Sequence, residues 1–102
     1  MYARVTTFEG DPQRIEEGIR LFRDEVIPWL RDSTGFRGWI VLLDRGNRRA
    51  RGISFWETEE AMQADEKSGG ALRDEVAENL ELPMTDLEFY EVAAIEALTL
   101  DD

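Results

Sequence analysis

The order of hydrophobic segments predicts an α+β fold, running strand, helix, strand, strand, helix, strand. Four antiparallel strands would form one sheet with the helices packed on it, the ferredoxin-like β-α-β-β-α-β arrangement. Two observations carry this expectation. The pair Gly35 to Asp44 and Ile53 to Met62, joined by Arg45-Gly46-Asn47-Arg48, reads as a β-hairpin running into a helix. Either side of it lie stretches of helical period, each next to a segment rich in β-branched and aromatic residues.

Tyr2 to Phe8 reads as the first strand, through Val5, Thr6, Thr7 and Phe8. Asp11 is a good N-cap and Pro12 suits the first helical position, where its missing N–H costs nothing. Ile15, Ile19, Phe22, Val26 and Leu30 then recur every three or four residues, which makes one apolar stripe of an amphipathic helix. Pro28 falls inside that stripe and is expected to kink or loosen the last turn before Trp29, with Gly35 ending the region. The second strand, Phe36 to Leu43, has the parities Phe36, Gly38, Ile40, Leu42 and Arg37, Trp39, Val41, Leu43. A strand apolar at nearly every position is buried on both faces. Gly46-Asn47 can take the positive φ values of a tight connection. The partner strand, Ala50 to Glu57, sets Ile53 and Phe55 against Trp56 on the other face. Thr58 caps a second helix with Glu59 and Glu60 in its first turn, Ser68-Gly69-Gly70 interrupts it, and Leu72, Val76 and Leu80 resume the spacing before Pro83. Leu87 to Ala94 completes the set as the last strand.

At 102 residues the chain reads as a single domain, 1–102, with an expected radius of gyration of about 13 Å. No apolar stretch of membrane-spanning length and no basic-then-apolar leader pattern is present, so a soluble, cytoplasmic protein is expected. Twelve basic against 23 acidic residues give a net charge of −11, which repels phosphate backbones and anionic membrane surfaces. Nucleic acid and membrane are therefore not expected partners. The sequence contains neither Cys nor His. Thiol catalysis, Ser-His-Asp catalysis and His-ligated haem or zinc are thereby excluded. Carboxylates alone could hold a hard cation, but no calcium-loop spacing occurs and Asp101 and Asp102 are terminal, so no metal is expected. Nucleotide-binding glycine patterns are absent as well.

Two helices cover one face of a four-stranded sheet, yet the central hairpin is apolar on both. The second face, with some of Trp39, Val41, Leu43 and Trp56, is expected to meet a second copy of the chain, sheet against sheet.

Gly-Phe-x-Gly-Trp opening the second strand, Ser-Phe-Trp-Glu-Thr-Glu-Glu-Ala-Met leading into the helix, and Phe-Tyr-Glu-Val near the end resemble the antibiotic biosynthesis monooxygenase-like proteins, a group of dimeric α+β barrels. The resemblance spans roughly Ala3 to Ala94. It implies a homodimer whose two sheets form a barrel, with a pocket in each protomer between sheet and helices. Activities in the group include cofactor-free oxygenation of polycyclic aromatics, haem degradation, and isomerase or lyase chemistry. Its haem-degrading members use an Asn on the first strand and a Trp and a His in the second helix. This chain has none of these at the matching places, because Trp56 lies at the end of a strand. Haem degradation is accordingly disfavoured.

Cofactor-free oxygenation of a small aromatic or polyketide-like molecule remains, since a deprotonated substrate in a dry pocket can itself activate oxygen. Candidate substrate-binding residues by type are Trp39, Phe55, Trp56 and Tyr90 as aromatic walls, and Arg51 (or Arg37) as the partner of a phenolate oxygen. No cofactor is expected. Each residue also has a structural reading: Trp39 and Trp56 as core or interface, Tyr90 closing the core, and Arg48, Arg49 and Arg51 forming a solvated hairpin tip. Glu59, Glu60, Asp65 and Glu66 read as a solvated helix face, and of Glu88 and Glu91 at least one should be exposed. The alternative function is a non-catalytic dimeric ligand-binding or accessory protein on the same fold.

Overall fold

Asp11 and Thr58, the two helix caps legible in the sequence, both make their capping bonds. The Asp11 carboxylate accepts from the N–H of Gln13 at 2.8 Å and the Thr58 hydroxyl from that of Ala61 at 3.1 Å. Between and around them, the computed structural model describes residues 1–96; positions 97–102, Asp101 and Asp102 among them, lie outside the described residues. The elements run β1 (Tyr2–Glu9), α1 (Pro12–Leu21), a π-helical turn (Phe22–Val26), α2 (Ile27–Arg31), β2 (Phe36–Asp44), β3 (Arg49–Trp56), α3 (Glu59–Ser68), α4 (Gly70–Asn79) and β4 (Met84–Glu91). The strands form one antiparallel sheet in the order β2-β3-β1-β4, as the ferredoxin-like reading requires. The Cα radius of gyration is 13.4 Å.

Pro28 acts one turn earlier than its position suggests. It has no N–H to give the carbonyl four residues back, and its ring crowds that carbonyl. The preceding turn widens instead: the Ile27 N–H reaches five residues back, to the Phe22 carbonyl. The apolar stripe survives the bulge, with Ile15, Val26 and Leu30 buried against the sheet.

The hairpin differs from expectation in two details. The positive φ falls on Arg48 (54°), not on Gly46 or Asn47. Asn47 is held instead by Asp44, whose carboxylate accepts from its backbone N–H at 3.2 Å and from its side-chain amide at 2.8 Å. At the other end of β2 the register slips between Phe36 and Gly38. Arg37 is the extra residue, and the bulge turns Phe36 from the parity of Gly38 and Ile40 to that of Trp39. β4 begins and ends earlier than Leu87 to Ala94. Its pairing is set by β1, which it follows from Phe8 opposite Met84 to Tyr2 opposite Glu91, with no further β1 residue to continue the ladder.

Register divides the sheet into two sets of rows. Trp39–Ser54–Arg4–Phe89, Val41–Gly52–Thr6–Leu87 and Leu43–Ala50–Phe8–Met84 face the helices. Gly38–Phe55–Ala3–Tyr90, Ile40–Ile53–Val5–Glu88 and Leu42–Arg51–Thr7–Asp86 form the open face. The face left uncovered is thus not the one carrying Trp39, Val41, Leu43 and Trp56, of which Trp39, Val41 and Trp56 pack under the helices and Leu43, near the strand's end, stays exposed. It is the face of Ile40, Leu42, Ile53 and Phe55, where Ile40 is 41% and Leu42 53% exposed.

Two buried clusters fill the space between sheet and helices. One gathers Val26, Ile27, Leu30, Trp56 and Met62, with Phe36 and Trp39 packed on it; the other gathers Ile15, Ala50, Leu80 and Leu82, with Phe8, Ile19 and Val41. Gly35 lets the first close tightly. Its φ is +82°, and a Cβ there would stand 2.6 Å from that of Ala61.

Candidate functional site

Three of the four inner-face positions of β3, Ala50, Gly52 and Ser54, are small, ahead of Trp56 at the strand's end, and the strand runs through the interior of the sheet. Side chains of this size cannot reach up to the helices, and the gap they leave is a cavity. Phe8, Trp39 and Val41 border it from the flanking strands, Ile19, Phe22, Val26 and Leu30 from the first helical region, and Val76, Leu80 and Leu82 from the second helical region and the segment after it. About 70 Å³ of it admits the centre of a water-sized sphere, within a cleft of about 820 Å³ that includes the open mouth. A single water needs only ~10–15 Å³. The walls are mostly apolar, with polar groups supplied by Arg4, Thr6, Ser54, Asp65 and Arg73.

Those polar groups form a network. Arg4, in the middle of β1 and 6% exposed, donates through Nη2 to Asp65 Oδ2 and through Nη1 to Glu66 Oε2, both at 2.8 Å. Arg73 on α4 holds Glu66 in a fork, with Nη2 to Oε1 at 2.8 Å and Nη1 to Oε2 at 3.0 Å, and its Nε reaches Asp74 at 3.1 Å. The Arg4 guanidinium also stands over the Trp56 ring, 5.5 Å from its centroid. Two buried cations and two carboxylates thus neutralise one another at the junction of sheet, α3 and α4. The carboxylate of Asp65 is nevertheless only half used: Oδ1 is buried and has no hydrogen-bond partner among the described residues.

Burial raises the pKa of Glu66, but the hydrogen bonds from Arg73 and the charges of Arg73 and Arg4 outweigh it and hold the carboxyl below its ordinary value. Burial likewise opposes the charge on Arg73, and its bond to Glu66 more than offsets this, so its pKa is raised. For a carboxyl with a depressed folded pKa, the stabilisation is present above the unfolded value of about 4.3 and is lost as pH falls through the folded one. Thermal unfolding midpoints should therefore drop as pH is lowered below about 4, and Glu66→Gln should flatten that part of the curve. An unchanged acid limb in Glu66→Gln would show that other carboxylates set it.

Of the residues singled out in the sequence, Trp39 lines the cavity. Trp56 lies on the same side of the sheet but behind the lining: it is fully buried, and its indole N–H donates to Ser54 Oγ at 2.9 Å. Arg51, Phe55 and Tyr90 are on the open face, the far side of the sheet from the cavity. Tyr90 does not close the core. It is 51% exposed, its hydroxyl donates to Glu88, and that bond, with the nearby acidic charge, raises its pKa. Asp65 and Glu66 are not on a solvated face, as their acidic neighbourhood suggests. Asp65 falls three residues after Met62 and four before Gly69, which puts all three on the buried side of α3. Arg4 and Arg73 carried no sequence signal beyond their placement, Arg4 sharing parity with Thr6 and Phe8 and Arg73 lying next to Leu72 on the α4 stripe.

The architecture around this cavity matches solved structures over nearly the whole chain. The monooxygenase ActVA-Orf6 of Streptomyces coelicolor, in complex with nanaomycin D, superposes with a TM-score of 0.72 at 21% identity, over 96% of this chain and 92% of that one. The haem degrader MhuD of Mycobacterium tuberculosis, with two haems in its active site, gives 0.71 at 22% identity, over 95% and 100%. The chain has the antibiotic biosynthesis monooxygenase-like fold. At this level of identity the likeness concerns the fold alone. In sequence, the chain is 40% identical over 77 residues to the uncharacterized protein Rv2558 of M. tuberculosis, a match covering 76% of this chain. It spans about a third of that relative, 33% of its length. No protein-family model matches the sequence. Among the described residues no helix is long and apolar enough to cross a membrane.

Proposed function

We propose that the chain binds a small aromatic or polyketide-like molecule in the cavity between sheet and helices and acts on it as a cofactor-free oxygenase. The observation that carries this reading is a mostly apolar cavity floored by Ala50, Gly52 and Ser54, with a buried charged network on one wall. Trp39 serves as the aromatic wall. Oxygenation there draws its electrons from the substrate: naphthol and O₂ give a naphthoquinone and water, the ring carbon para to the hydroxyl gaining one oxygen atom and the other leaving as water. A haem role is not adopted, because the sequence contains no His to ligate the iron. Titration with naphthol should quench part of the tryptophan emission, and oxygen uptake above the protein-free background should follow without added metal, flavin or nicotinamide. Binding without uptake would leave a ligand-binding protein, and absence of binding would overturn the reading.

In this proposal residues 1–102 act as one domain in the cytoplasm, and two copies meet through the open face of Ile40, Leu42, Ile53 and Phe55, with Arg51 and Tyr90 beside them. Sedimentation across a dilution series should give twice the 11.8 kDa chain mass. Ile53→Asp should shift it to the monomer, and a parent protein that is monomeric throughout would overturn the assembly.

A further inference from the structure

We infer that Asp65 Oδ1 is a specificity-determining acceptor, and that the cavity selects aromatics bearing a hydroxyl or N–H donor over plain or alkoxy-substituted rings. This rests on the cavity reading above and adds to it the chemistry by which one end of the ligand is recognised. Asp65 is 5% exposed and lines the cavity. Its Oδ2 is committed to Arg4 at 2.8 Å, while Oδ1 has no partner among the described residues. Gly69, which also lines the cavity, packs closely on this carboxylate: a Cβ at that position would stand 2.7 Å from Oδ1 and 2.9 Å from Cζ3 of Trp29.

A carboxylate oxygen only accepts hydrogen bonds, and burying one without a donor is costly. A ligand that brings a donor removes that cost; a ligand of the same shape without one keeps it. Sites of this kind reject the analogue that lacks the polar group far more strongly than an apolar pocket rejects an added methylene. Arg4 is the positioning residue here, since it fixes the carboxylate of this lining residue through Oδ2 and leaves Oδ1 without a donor among the described residues. The rest of the lining, with Trp39, Phe22, Val26 and Leu30, suits the flat apolar body of an aromatic ring.

The test compares naphthol, methoxynaphthalene and naphthalene by calorimetric titration of the intact protein. Naphthol should bind at least about tenfold more tightly than either of the others. In Asp65→Asn, Arg4 can only donate, so the amide oxygen should stay on Arg4 and turn the amide NH₂ toward the cavity. Preference should then reverse toward tetralone, whose ketone accepts. Gly69→Ala, which puts a methyl against Oδ1, should reduce the naphthol advantage to about twofold or less. Equal affinity of the parent protein for naphthol and naphthalene overturns the inference while the cavity reading stands. Failure of every probe to bind overturns both. The comparison on the parent protein needs no variant, so it decides the matter even where a substitution prevents folding.

Discussion

Arg4→Met is expected to cost about 3–5 kcal/mol of folding stability, because it removes one partner of a buried ion pair and leaves the other. Asp65, with a side chain 3% exposed, would lose its charge partner, and Glu66 would keep only Arg73. In a domain of this size each kcal/mol shifts the thermal midpoint by about 4–8 °C, so the variant should melt well over 10 °C lower. The cost should lie in the orphaned carboxylate more than in lost attraction. Replacing both partners, Arg4→Met with Asp65→Leu, should therefore recover a large share of the loss. Urea unfolding of the two single variants and the double variant reads this coupling directly. Single variants that each cost under about 1 kcal/mol and add without coupling would show the pair to be screened like a surface contact. Arg73→Met should cost less than Arg4→Met, since Arg4 still holds Glu66 after the fork is lost.

What the sequence disclosed divides along the range of the interactions concerned. Caps, the Ser68-Gly69-Gly70 break and the pairing of the hairpin strands depend on neighbours in the chain and stand where their residues put them, while the hairpin's positive φ moves to Arg48 and its register slips at Arg37. Strand faces depend on what covers the sheet, and there the usual rule of apolar inside and polar outside misleads. On β1 the helix-facing parity is Arg4, Thr6, Phe8 and the open parity Ala3, Val5, Thr7, so the face with the charge is the covered one. The inversion has a physical reason: Arg4 is neutralised by carboxylates reaching down from α3, some sixty positions away in sequence. The same distance hid Asp65, whose acidic neighbours Glu59, Glu60 and Glu66 make its segment look solvated. The cavity, by contrast, was legible in principle. Ala50, Gly52 and Ser54 are three small residues at period two in a strand expected to lie inside the sheet, and a floor built that low needs either bulky helix residues above it or a gap. Residue type alone points to Arg51 as oxyanion partner and Tyr90 as wall, and strand parity places both on the other side of the sheet.

Trp56→Ala is expected to be as damaging as the loss of Arg4, about 3–5 kcal/mol, and for a different reason. Trp56 is fully buried, and its ring meets Phe36 edge-on at a centroid separation of 5.4 Å among Val26, Ile27, Leu30 and Met62. Truncation opens a large apolar void where sheet, α2 and α3 meet, removes the donor to Ser54 Oγ and takes away the ring beneath the Arg4 guanidinium. Trp56→Phe refills most of the volume and should cost less, mainly the unpaired Ser54 hydroxyl and the remaining gap, about 1–3 kcal/mol. The partner experiment is Trp39→Ala, at a half-buried residue that borders the cavity. If Trp39 is the wall and Trp56 the support behind it, naphthol affinity should fall in Trp39→Ala and stay within about twofold of the parent in Trp56→Phe, while the order of stability loss runs the other way, with Trp56→Ala the least stable. A drop in affinity for Trp56→Phe as large as that for Trp39→Ala would move Trp56 into the binding wall and require the ligand to displace Phe36 or Ser54 to reach it.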